Sequence, residues 1–308
     1  MSLQYHPAQI EVQEEANTRP VADNLAHWVG PVEEFATVAD LLVFATPGSQ
    51  GRLQFAVVCG RAPLVEVTDT DELRLPDLGT SFVEQEGLVG GLAINLGQRR
   101  RARLNGRLRR EGSAYVFVTT EAFVNCRKYI APSVAVREQR RVGPLASSPV
   151  DLNDPWLGDI LRNAETAFLA SLAPDGLPDV SHRGGPPGFL FLDAENRSLT
   201  WPEFVGDGMM KSAGNVRATS TATLLILDIT TGDAAEVRGR ATFRTLRTAR
   251  EARLDALEQH RDPFPVQGQM VMAIEEVRRL TGMIHPRRRV ASVEKLTSCS
   301  PIDDQYPR

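Results

Sequence analysis

The sequence lacks the features that most quickly assign a function. Its 308 residues contain only three cysteines (Cys59, Cys126 and Cys299), too few for a disulfide framework and too widely spaced for a Cys-x-x-Cys metal site. No apolar run approaches the roughly 18 residues that a membrane-spanning helix needs. The N-terminus has no basic start followed by an apolar core, as a secretory signal would. We therefore expect a cytoplasmic protein with no metal and no membrane partner.

A strong charge of one sign is also missing. The 35 lysines and arginines and the 39 aspartates and glutamates give a formal net charge of −4, which offers no overall attraction for nucleic acid. The basic runs at 99–103 and 285–289 contain no interleaved aromatic residues on which bases could stack. Gly-x-Ser-x-Gly, His-Glu-x-x-His and the Walker phosphate loop are absent as well. No nucleic-acid partner is expected, and no motif supports a hydrolase.

Short apolar runs separated by glycine, proline and aspartate turns are abundant. Runs such as 41–45, 168–172 and 223–227 predict buried β-strands. The alternation in 102–107, next to the basic run, predicts an exposed strand. The sequence therefore predicts a protein that is mainly β with flanking helices (α+β), and its length indicates about two domains.

Three segments are predicted to be helical, and both chain ends are polar. Apolar residues recur at helical spacing in 21–37 and 248–260, and Asp154 with Pro155 forms a helix start for 154–164. Residues 1–20 show no clear period, so we expect a loose arm there. The tail beyond Lys295 is expected to be loose too.

The two halves of the chain resemble each other. Residues 92–107 align without a gap on 225–240, and Gly51 aligns on Gly176. Two copies of an antiparallel unit of roughly 110 residues are too few for a solenoid or a propeller. Two β-barrels packed as an intrachain pseudo-dimer fit better, because closure of a barrel removes exposed strand edges.

The repeat and the clustered prolines and serines near 144–155 predict the domain boundaries. From the N-terminus they are an arm and helix (1–36), a first, degenerate barrel (37–140), a linker (141–155), a second barrel that carries the site (156–295) and a tail (296–308).

The stretch 181–189, Ser-His-Arg-Gly-Gly-Pro-Pro-Gly-Phe, is the strongest candidate for a binding site. Its adjacent glycines allow a backbone to approach a flat or anionic ligand, and Arg183 offers a fork of donors beside them. The alternative is a glycine-proline loop with a solvated arginine. The first copy has Val57, Val58 and Cys59 at the aligned positions, so we expect one site per chain, in the second copy.

Two other residues have both a chemical and a structural interpretation. His182 could donate a proton to a ligand, although a lone histidine is more often structural. Cys126 stands near Lys128, which could lower the pKa of a thiol. Without a partner cysteine or a histidine nearby in the sequence, Cys126 could equally be an inert buried thiol.

With these residues assembled, the chain resembles the pyridoxamine 5'-phosphate oxidase-like proteins, the FMN-binding split β-barrel superfamily, and within it a bacterial group with two barrels per chain. The resemblance covers about residues 20–280 and rests on six ordered blocks of sequence. They are Arg-Arg-Arg-Ala-Arg-Leu-Asn-Gly-Arg at 99–107, Asn-Cys-Arg-Lys-Tyr-Ile at 125–130, the stretch 181–189, Leu-Thr-Trp-Pro at 199–202, Gly-Asp-Gly-Met-Met-Lys-Ser-Ala-Gly-Asn at 206–215, and Val-Arg-Gly-Arg-Ala at 237–241.

This resemblance implies two split barrels with FMN in the groove between them. Another flavin, a deazaflavin or no cofactor at all are the alternatives. The implied cofactor-binding residues are His182, Arg183, Gly184 and Gly185 at the flavin, Trp201, Lys211, Ser212 and Asn215 along the phosphate and ribityl side, and Asn125, Lys128 and Tyr129 reaching across from the first barrel. Trp201 is expected in the core or in the groove wall.

The implied function is that of an FMN-binding flavoprotein that passes electrons to a small-molecule substrate. No match is found to the substrate-phosphate residues of true pyridoxamine-phosphate oxidases, so that activity is not expected. Asp207 and Gly208 stand where better-characterised members have basic residues, which favours the alternative of a non-catalytic ligand-binding or interaction protein. The catalytic residues, and whether two such chains associate into a homodimer, stay open.

Overall fold

The computed structural model describes residues 3–24, 30–48, 52–75, 87–206, 208–246 and 264–296. Within these residues the chain is mainly β with flanking helices, as the sequence predicted. The helices are α1 (Pro7–Glu15), α2 (Arg19–Asp23), α3 (Gly30–Thr37), α4 (Pro155–Asn163) and α5 (Lys211–Thr219), and a 3-10 helix covers Val293–Leu296. None of these described helices is long and apolar enough to cross a membrane.

Each half of the chain builds one large antiparallel sheet, and one short strand from each half pairs in a third, two-stranded sheet. The first half contains β1 (Leu41–Pro47), β2 (Leu53–Cys59), β3 (Glu66–Val67), β4 (Glu72–Leu75), β5 (Gly87–Asn95), β6 (Arg100–Glu111), β7 (Ala114–Asn125), β8 (Ser133–Ala135) and β9 (Arg141–Val142). The second half contains β10 (Ala146–Pro149), β11 (Thr166–Leu172), β12 (Pro178–Gly184), β13 (Phe191–Asp193), β14 (Ser198–Phe204), β15 (Thr221–Leu227), β16 (Ala234–Thr245), β17 (Val266–Thr281) and β18 (Arg287–Arg289).

The two sheets share one strand order. Strands run β3-β4-β7-β6-β5-β1-β2 in the first sheet and β13-β14-β17-β16-β15-β11-β12 in the second. The pairing of Leu41 with Cys59 recurs 125 residues later between β11 and β12. A β-bulge at Gly106 in β6 recurs 133 residues later at Gly239 in β16. These spacings are those at which the sequence segments align, and the fold is a tandem pair of split β-barrels.

The strands where the barrels meet are buried on both faces. Leu42 and Phe44 of β1 lie in the core of the first barrel, whereas Leu41 and Val43 lie in a core shared with the second barrel. Successive side chains of a strand point to opposite faces, so both sets must be apolar. Strand β11 alternates in the same way between the second barrel's core and the shared core. This two-sided burial explains the uninterrupted apolar runs in the sequence.

The predicted helices are only partly within the described residues. Helix α4 is confirmed, with the Asp154 carboxylate accepting the Trp156 backbone N–H at 2.9 Å and Pro155 at its first position. The segment 21–37 contains the end of α2 and all of α3, and residues 25–29 between them are not described. The predicted helix at 248–260 and the tail from 297 onward lie outside the described residues.

The expectation of a loose N-terminal arm was wrong. Residues 7–15 form α1, which packs across α5 through Gln9, Val12 and Gln13, all buried. The Cβ that an alanine would have at position 214 would stand 2.4 Å from Gln9 Cα, so Gly214 is what allows the two helices to approach. Because two of the three buried side chains are glutamines, no apolar period marked this helix in the sequence.

The segment expected as an irregular linker is hydrogen-bonded to the rest of the molecule. Strand β9 extends the first sheet beside β2, and β10 pairs with β17 of the second sheet. Just before this segment, β8 pairs with β18. Ser147, Ser148 and Pro149 therefore stand in a short edge strand, where proline is tolerated, whereas Pro155 begins α4.

Candidate functional site

The candidate site residues meet at the junction of the two barrels. Strand β12 carries the Ser181–Gly184 segment, and α5 begins with Lys211 and Ser212. Helix α5 continues to Thr219, so Asn215 lies in its middle. Strands β6 and β7 of the first barrel supply the facing side chains.

A buried ion pair joins the barrels at the centre of this junction. Arg103 of β6 donates through Nη1 to both carboxylate oxygens of Asp179 at 2.5 and 2.7 Å, and through Nη2 to Ser181 Oγ at 2.7 Å. The two charged side chains are 4% and 2% exposed. Burial alone would raise the pKa of Asp179, but Arg103, Lys211 and a hydrogen bond from Asn105 together lower it below its usual value. Asp179 is therefore ionised at neutral pH.

Lys211, expected to bind phosphate, is engaged by a carboxylate from the other barrel. Its Nζ lies 2.7 Å from Glu121 Oε1, and the two side chains are 6% and 14% exposed. Asn105 Nδ2 donates to Glu121 Oε2 and to Asp179 Oδ1, each at 2.9 Å. One amide therefore links the two buried carboxylates.

Ser212 and Asn215, which were also expected on the phosphate and ribityl side, are engaged internally as well. The Ser212 hydroxyl hydrogen-bonds that of Ser181 and donates to Asp179 Oδ2 at 3.3 Å. Asn215 Oδ1 lies 2.8 Å from His6 Nε2 and accepts from Gln9 Nε2 at 2.9 Å, while its Nδ2 donates to Ser171 Oγ at 3.1 Å. Helix α1 therefore covers this face of α5.

A small cleft lies beside this network, where β12 and β14 face the residues that follow β7. Its lining residues are Arg101, Cys126, Lys128, Tyr129, His182, Arg183, Gly184, Phe189, Pro202, Glu203, Phe204 and Gly206. The cavity volume is about 40 Å³, whereas pockets that enclose a whole ligand measure roughly 300–1,000 Å³. The cleft can admit the edge of a flat ring but cannot enclose the ring.

His182 is one of the buried polar groups of this cleft. It is 6% exposed, and its ring meets that of Phe168 edge-on, with centroids 5.6 Å apart. Arg101 Nη1 lies 2.8 Å from His182 Nδ1. A guanidinium can only donate, so Nδ1 accepts and the ring proton is on Nε2. His182 Nε2 has no hydrogen-bond partner among the described residues, so the cleft wall holds a buried donor in need of an acceptor.

The protonation state of His182 follows from its neighbours. Burial, with the charges of Arg101 and Arg183 beside the ring, holds the pKa of His182 well below its usual value of 6.5. The imidazole is therefore neutral at pH 7. A neutral ring cannot act as a general acid as readily as an imidazolium would, but it can donate one hydrogen bond to a ligand.

Arg183 and Trp201 share one carboxylate. Arg183 Nε lies 2.7 Å from Glu203 Oε1, and Trp201 Nε1 donates to the same oxygen at 3.0 Å. Arg183 is thus an ion-paired arginine at the cleft wall rather than a solvated one. Trp201 is fully buried in the core of the second barrel and is not among the residues that line the cleft.

The two adjacent glycines of the 181–189 stretch make room for other atoms of the protein itself. A Cβ at position 184 would stand 1.8 Å from the Tyr129 carbonyl oxygen, and one at 185 would stand 2.6 Å from the Phe189 ring. Tyr129 also donates its hydroxyl to the Val205 carbonyl at 2.6 Å. Gly184 therefore serves the contact between the barrels, which the sequence could not distinguish from contact with a ligand.

Asn125 and Lys128 lie near the cleft with Cys126 between them. Asn125 Oδ1 is buried without a hydrogen-bond partner among the described residues. Lys128 is half-buried beside Gly206 and lines the cleft, as does Cys126, whose Sγ lies 3.7 Å from Arg101 Nη2. Gly208 is buried, and Asp207 lies outside the described residues.

Sequence reasoning missed the charged centre of the junction. The expectation of an exposed strand at 102–107 was wrong: Arg103 is 4% exposed and Asn105 is fully buried, and Arg101 just before this strand segment is 9% exposed. Alternate residues of a strand share a face, so these three side chains point together toward the second barrel. Asp179 and Glu121 had no signal of their own, because a partner for a buried carboxylate cannot be identified from one sequence.

The donor set decides which parts of FMN these residues fit. The Ser212 hydroxyl and the Asn215 amide are held by internal acceptors, and the Lys211 ammonium is paired with the Glu121 carboxylate, so the implied phosphate position does not fit a dianion. The His182 Nε2–H and the cations around the cleft do fit the acceptor edge of a flavin ring. The ring part of the implied cofactor therefore fits, and its phosphate part does not.

No family model matches the chain, and no curated protein matches it. Solved structures with a similar fold include HupZ of Group A Streptococcus (15% identity, 41% of this chain and 98% of that chain, TM-score 0.31). A pyridoxamine 5'-phosphate oxidase-related, FMN-binding protein of Nostoc punctiforme matches with 16% identity over 44% of this chain and 89% of its own, TM-score 0.28. An F420 reductase matches with 17% identity over 39% and 93%, TM-score 0.28. These likenesses concern the fold alone.

Proposed function

We propose that this protein binds the ring of a flavin or a deazaflavin at the cleft formed by Arg101, Lys128, Tyr129, His182 and Arg183. The observation that carries the proposal is the buried His182 Nε2–H, which lines the cleft and has no acceptor among the described residues. Both ring systems carry a pyrimidinedione edge with carbonyl acceptors. One such carbonyl would satisfy the donor, and the neighbouring cations favour the electron-rich edge of the ring.

The residues of the cleft have distinct tasks in this proposal. His182 donates the hydrogen bond, and Arg101 fixes the tautomer that makes the donor available. Glu203 orients Arg183, and Tyr129 closes the cleft from the first barrel. When bound, the ring would supply the hydride or electron transfer of an oxidoreductase acting on a small molecule. The protein's part is to bind and orient the ring.

A binding protein without turnover is the second candidate. A cavity volume of about 40 Å³ leaves no enclosed space for a substrate beside the ring. Consumption of reduced nicotinamide by the loaded protein, in the presence of candidate acceptors and above the rate with free flavin, would exclude this candidate.

Two substitutions of His182 test the proposed contact. The amide of His182→Asn can accept from Arg101 but does not reach the position of Nε2, whereas His182→Gln places an amide donor near that position. We expect His182→Asn to weaken riboflavin binding about tenfold, the value of one hydrogen bond, and His182→Gln to stay within about threefold of the wild type. Quenching of flavin fluorescence measures both. Equal affinities in all three proteins, or no binding by the wild type, would contradict the proposal.

A further inference from the structure

We infer that Asp179 and Glu121 occupy, with their own carboxylates, the anion position at the start of α5, so that the protein selects a ring ligand without a phosphate group. This inference rests on the proposed function and names its ligand class: a flavin-type ring with an uncharged side chain. The resemblance in sequence implied the opposite, a cofactor whose phosphate and ribityl side lies along Trp201, Lys211, Ser212 and Asn215.

The first support is the charge balance of the network. Two cations, Arg103 and Lys211, face two carboxylates, Asp179 and Glu121, at contact distances of 2.5 and 2.7 Å. A phosphate placed on Lys211 would bring its negative charge close to both carboxylates in a buried environment, where like charges repel strongly. Asn105 donates to Glu121 Oε2 at 2.9 Å, which keeps this carboxylate beside Lys211.

The second support is that the N-terminal segment closes the same position sterically. Tyr5 stacks against the Lys211 ammonium, which lies 5.9 Å from its ring centroid. His6 and Gln9 saturate Asn215 Oδ1, and the Gln9 Cα occupies the space above Gly214. Gln13 Nε2 adds a bond to the Met209 carbonyl at 2.8 Å, directly before α5. Every contact in this set is internal and well formed.

The third support is the position of the buried hydrogen-bond donor that has no acceptor among the predicted cofactor-binding residues. Among the predicted binding residues that the structure describes, the buried side-chain donor without a partner is His182 Nε2, in the cleft and not at α5. A ligand that accepts a hydrogen bond from His182 Nε2 therefore needs an acceptor on its ring, and it does not need to contact the donors of α5.

Riboflavin and FMN, which differ only in the phosphate, test this inference. We expect the wild-type protein to bind riboflavin at least as tightly as FMN. Glu121→Gln removes the carboxylate from Lys211 and should shift the ratio of dissociation constants at least about fivefold toward FMN. Glu111→Gln, in an exposed ion pair with Arg109, is the matched control and should leave the ratio unchanged. A wild-type preference for FMN of tenfold or more would overturn the inference and leave the proposed function intact.

Inorganic phosphate gives a readout that needs no flavin. We expect the unfolding temperature of the wild-type protein to respond equally to phosphate and to chloride at matched ionic strength. Glu121→Gln should be stabilised specifically by phosphate. A specific stabilisation of the wild type, or a Glu121→Gln variant that responds to neither phosphate nor FMN, would overturn the inference. If no flavin binds while phosphate acts as expected, the proposed function fails and the closed anion position stands. The wild-type measurements decide the matter even if the variant does not fold.

Discussion

At the scale of single residues, His182 shows how neighbours set the chemistry of a side chain. Two arginines and nearly complete burial keep the imidazole neutral, and the direction of the Arg101 hydrogen bond fixes its tautomer. The same residue would be a proton donor in a solvated setting. Its role as a hydrogen-bond donor therefore depends on a residue 81 positions earlier in the chain.

This environment predicts a dependence of stability on pH. The pKa of His182 is lowered in the folded state, so below pH 6.5 the unfolded chain binds a proton that the folded chain does not. The contribution of His182 to the free energy of unfolding therefore does not change with pH above about 6.5. Below that pH it falls by about 1.4 kcal/mol per pH unit. Urea unfolding of wild type and His182→Gln at pH 7.0 and 5.5 should show a smaller loss in the variant.

The comparison of wild type with His182→Gln separates His182 from the other groups whose lowered pKa also reduces stability as the pH falls. His285 also has a lowered pKa, through burial and the charge of Arg141, but it is present in both proteins and cancels. Asp179 acts in the same direction only at lower pH, because its pKa is lowered below 3.8. An equal loss of stability in wild type and variant would show that His182 is not a buried neutral imidazole.

At this scale the sequence could predict which short stretch of the chain contains unusual residues, but not what those residues contact. The Gly184-Gly185 pair and Arg183 stood out from composition alone, and all three line or border the cleft. The partners of Gly184 and Arg183 could not be predicted, since Tyr129 and Glu203 reach them only through the fold. A glycine that admits a ligand and one that admits a neighbouring backbone look the same in a sequence.

At the scale of elements, α1 and α5 form a helix pair held by polar contacts. Gln9 Nε2 donates to Asn215, and Gln9 Oε1 accepts the His6 backbone N–H at 3.2 Å. Glu15 at the other end pairs with Arg217 at 2.5 Å but is about half exposed. Buried and exposed contacts of one helix pair should therefore differ in energy.

Two substitutions in α1 test that difference. Gln9→Ala leaves Asn215 with one donor fewer in a buried place and should lower the free energy of unfolding by about 1–3 kcal/mol. Glu15→Gln breaks the exposed ion pair and should cost less than about 1 kcal/mol. Chemical denaturation measures both. Similar small effects would mean that α1 does not dock on α5 in solution.

Strands were predictable as elements, and these two helices were not. The apolar runs of β1, β11 and β15 are long because both strand faces are buried, which gives a strong signal. Helix α5, Lys-Ser-Ala-Gly-Asn-Val-Arg-Ala-Thr, has no apolar stripe, and α1 buries glutamines. A helix that packs through amides and glycine has no hydrophobic period to read.

At the scale of the whole molecule, the barrels are joined by an apolar core and one charged centre. The shared core includes Leu41, Val57, Phe168 and Leu225, drawn from both sheets. The repeat in the sequence predicted that two similar units would pack together. It could not predict the charged centre. Arg103 belongs to the first copy and Asp179 to the second, and the two residues do not align with each other in the repeat, so the repeat gives no sign that they pair.

The buried ion pair of Arg103 and Asp179 should be costly to break and much less costly to remove as a whole. Replacing Arg103 with methionine leaves Asp179 ionised and buried beside Lys211 alone, at a cost of about 3–5 kcal/mol in the free energy of unfolding. Replacing both residues, Arg103→Met with Asp179→Leu, removes the stranded charge as well. The double variant should then recover most of the loss, although Ser181 and Ser212 lose a partner in it.

A double-mutant cycle from urea unfolding measures the coupling between the two residues. Arg162→Met, in an exposed ion pair with Asp159 of the same helix, is the control and should leave the midpoint unchanged. If Arg103→Met alone unfolds no more easily than this control, Asp179 is not held as a buried carboxylate. The closed anion position at α5 would then lose one of the two charges on which it depends.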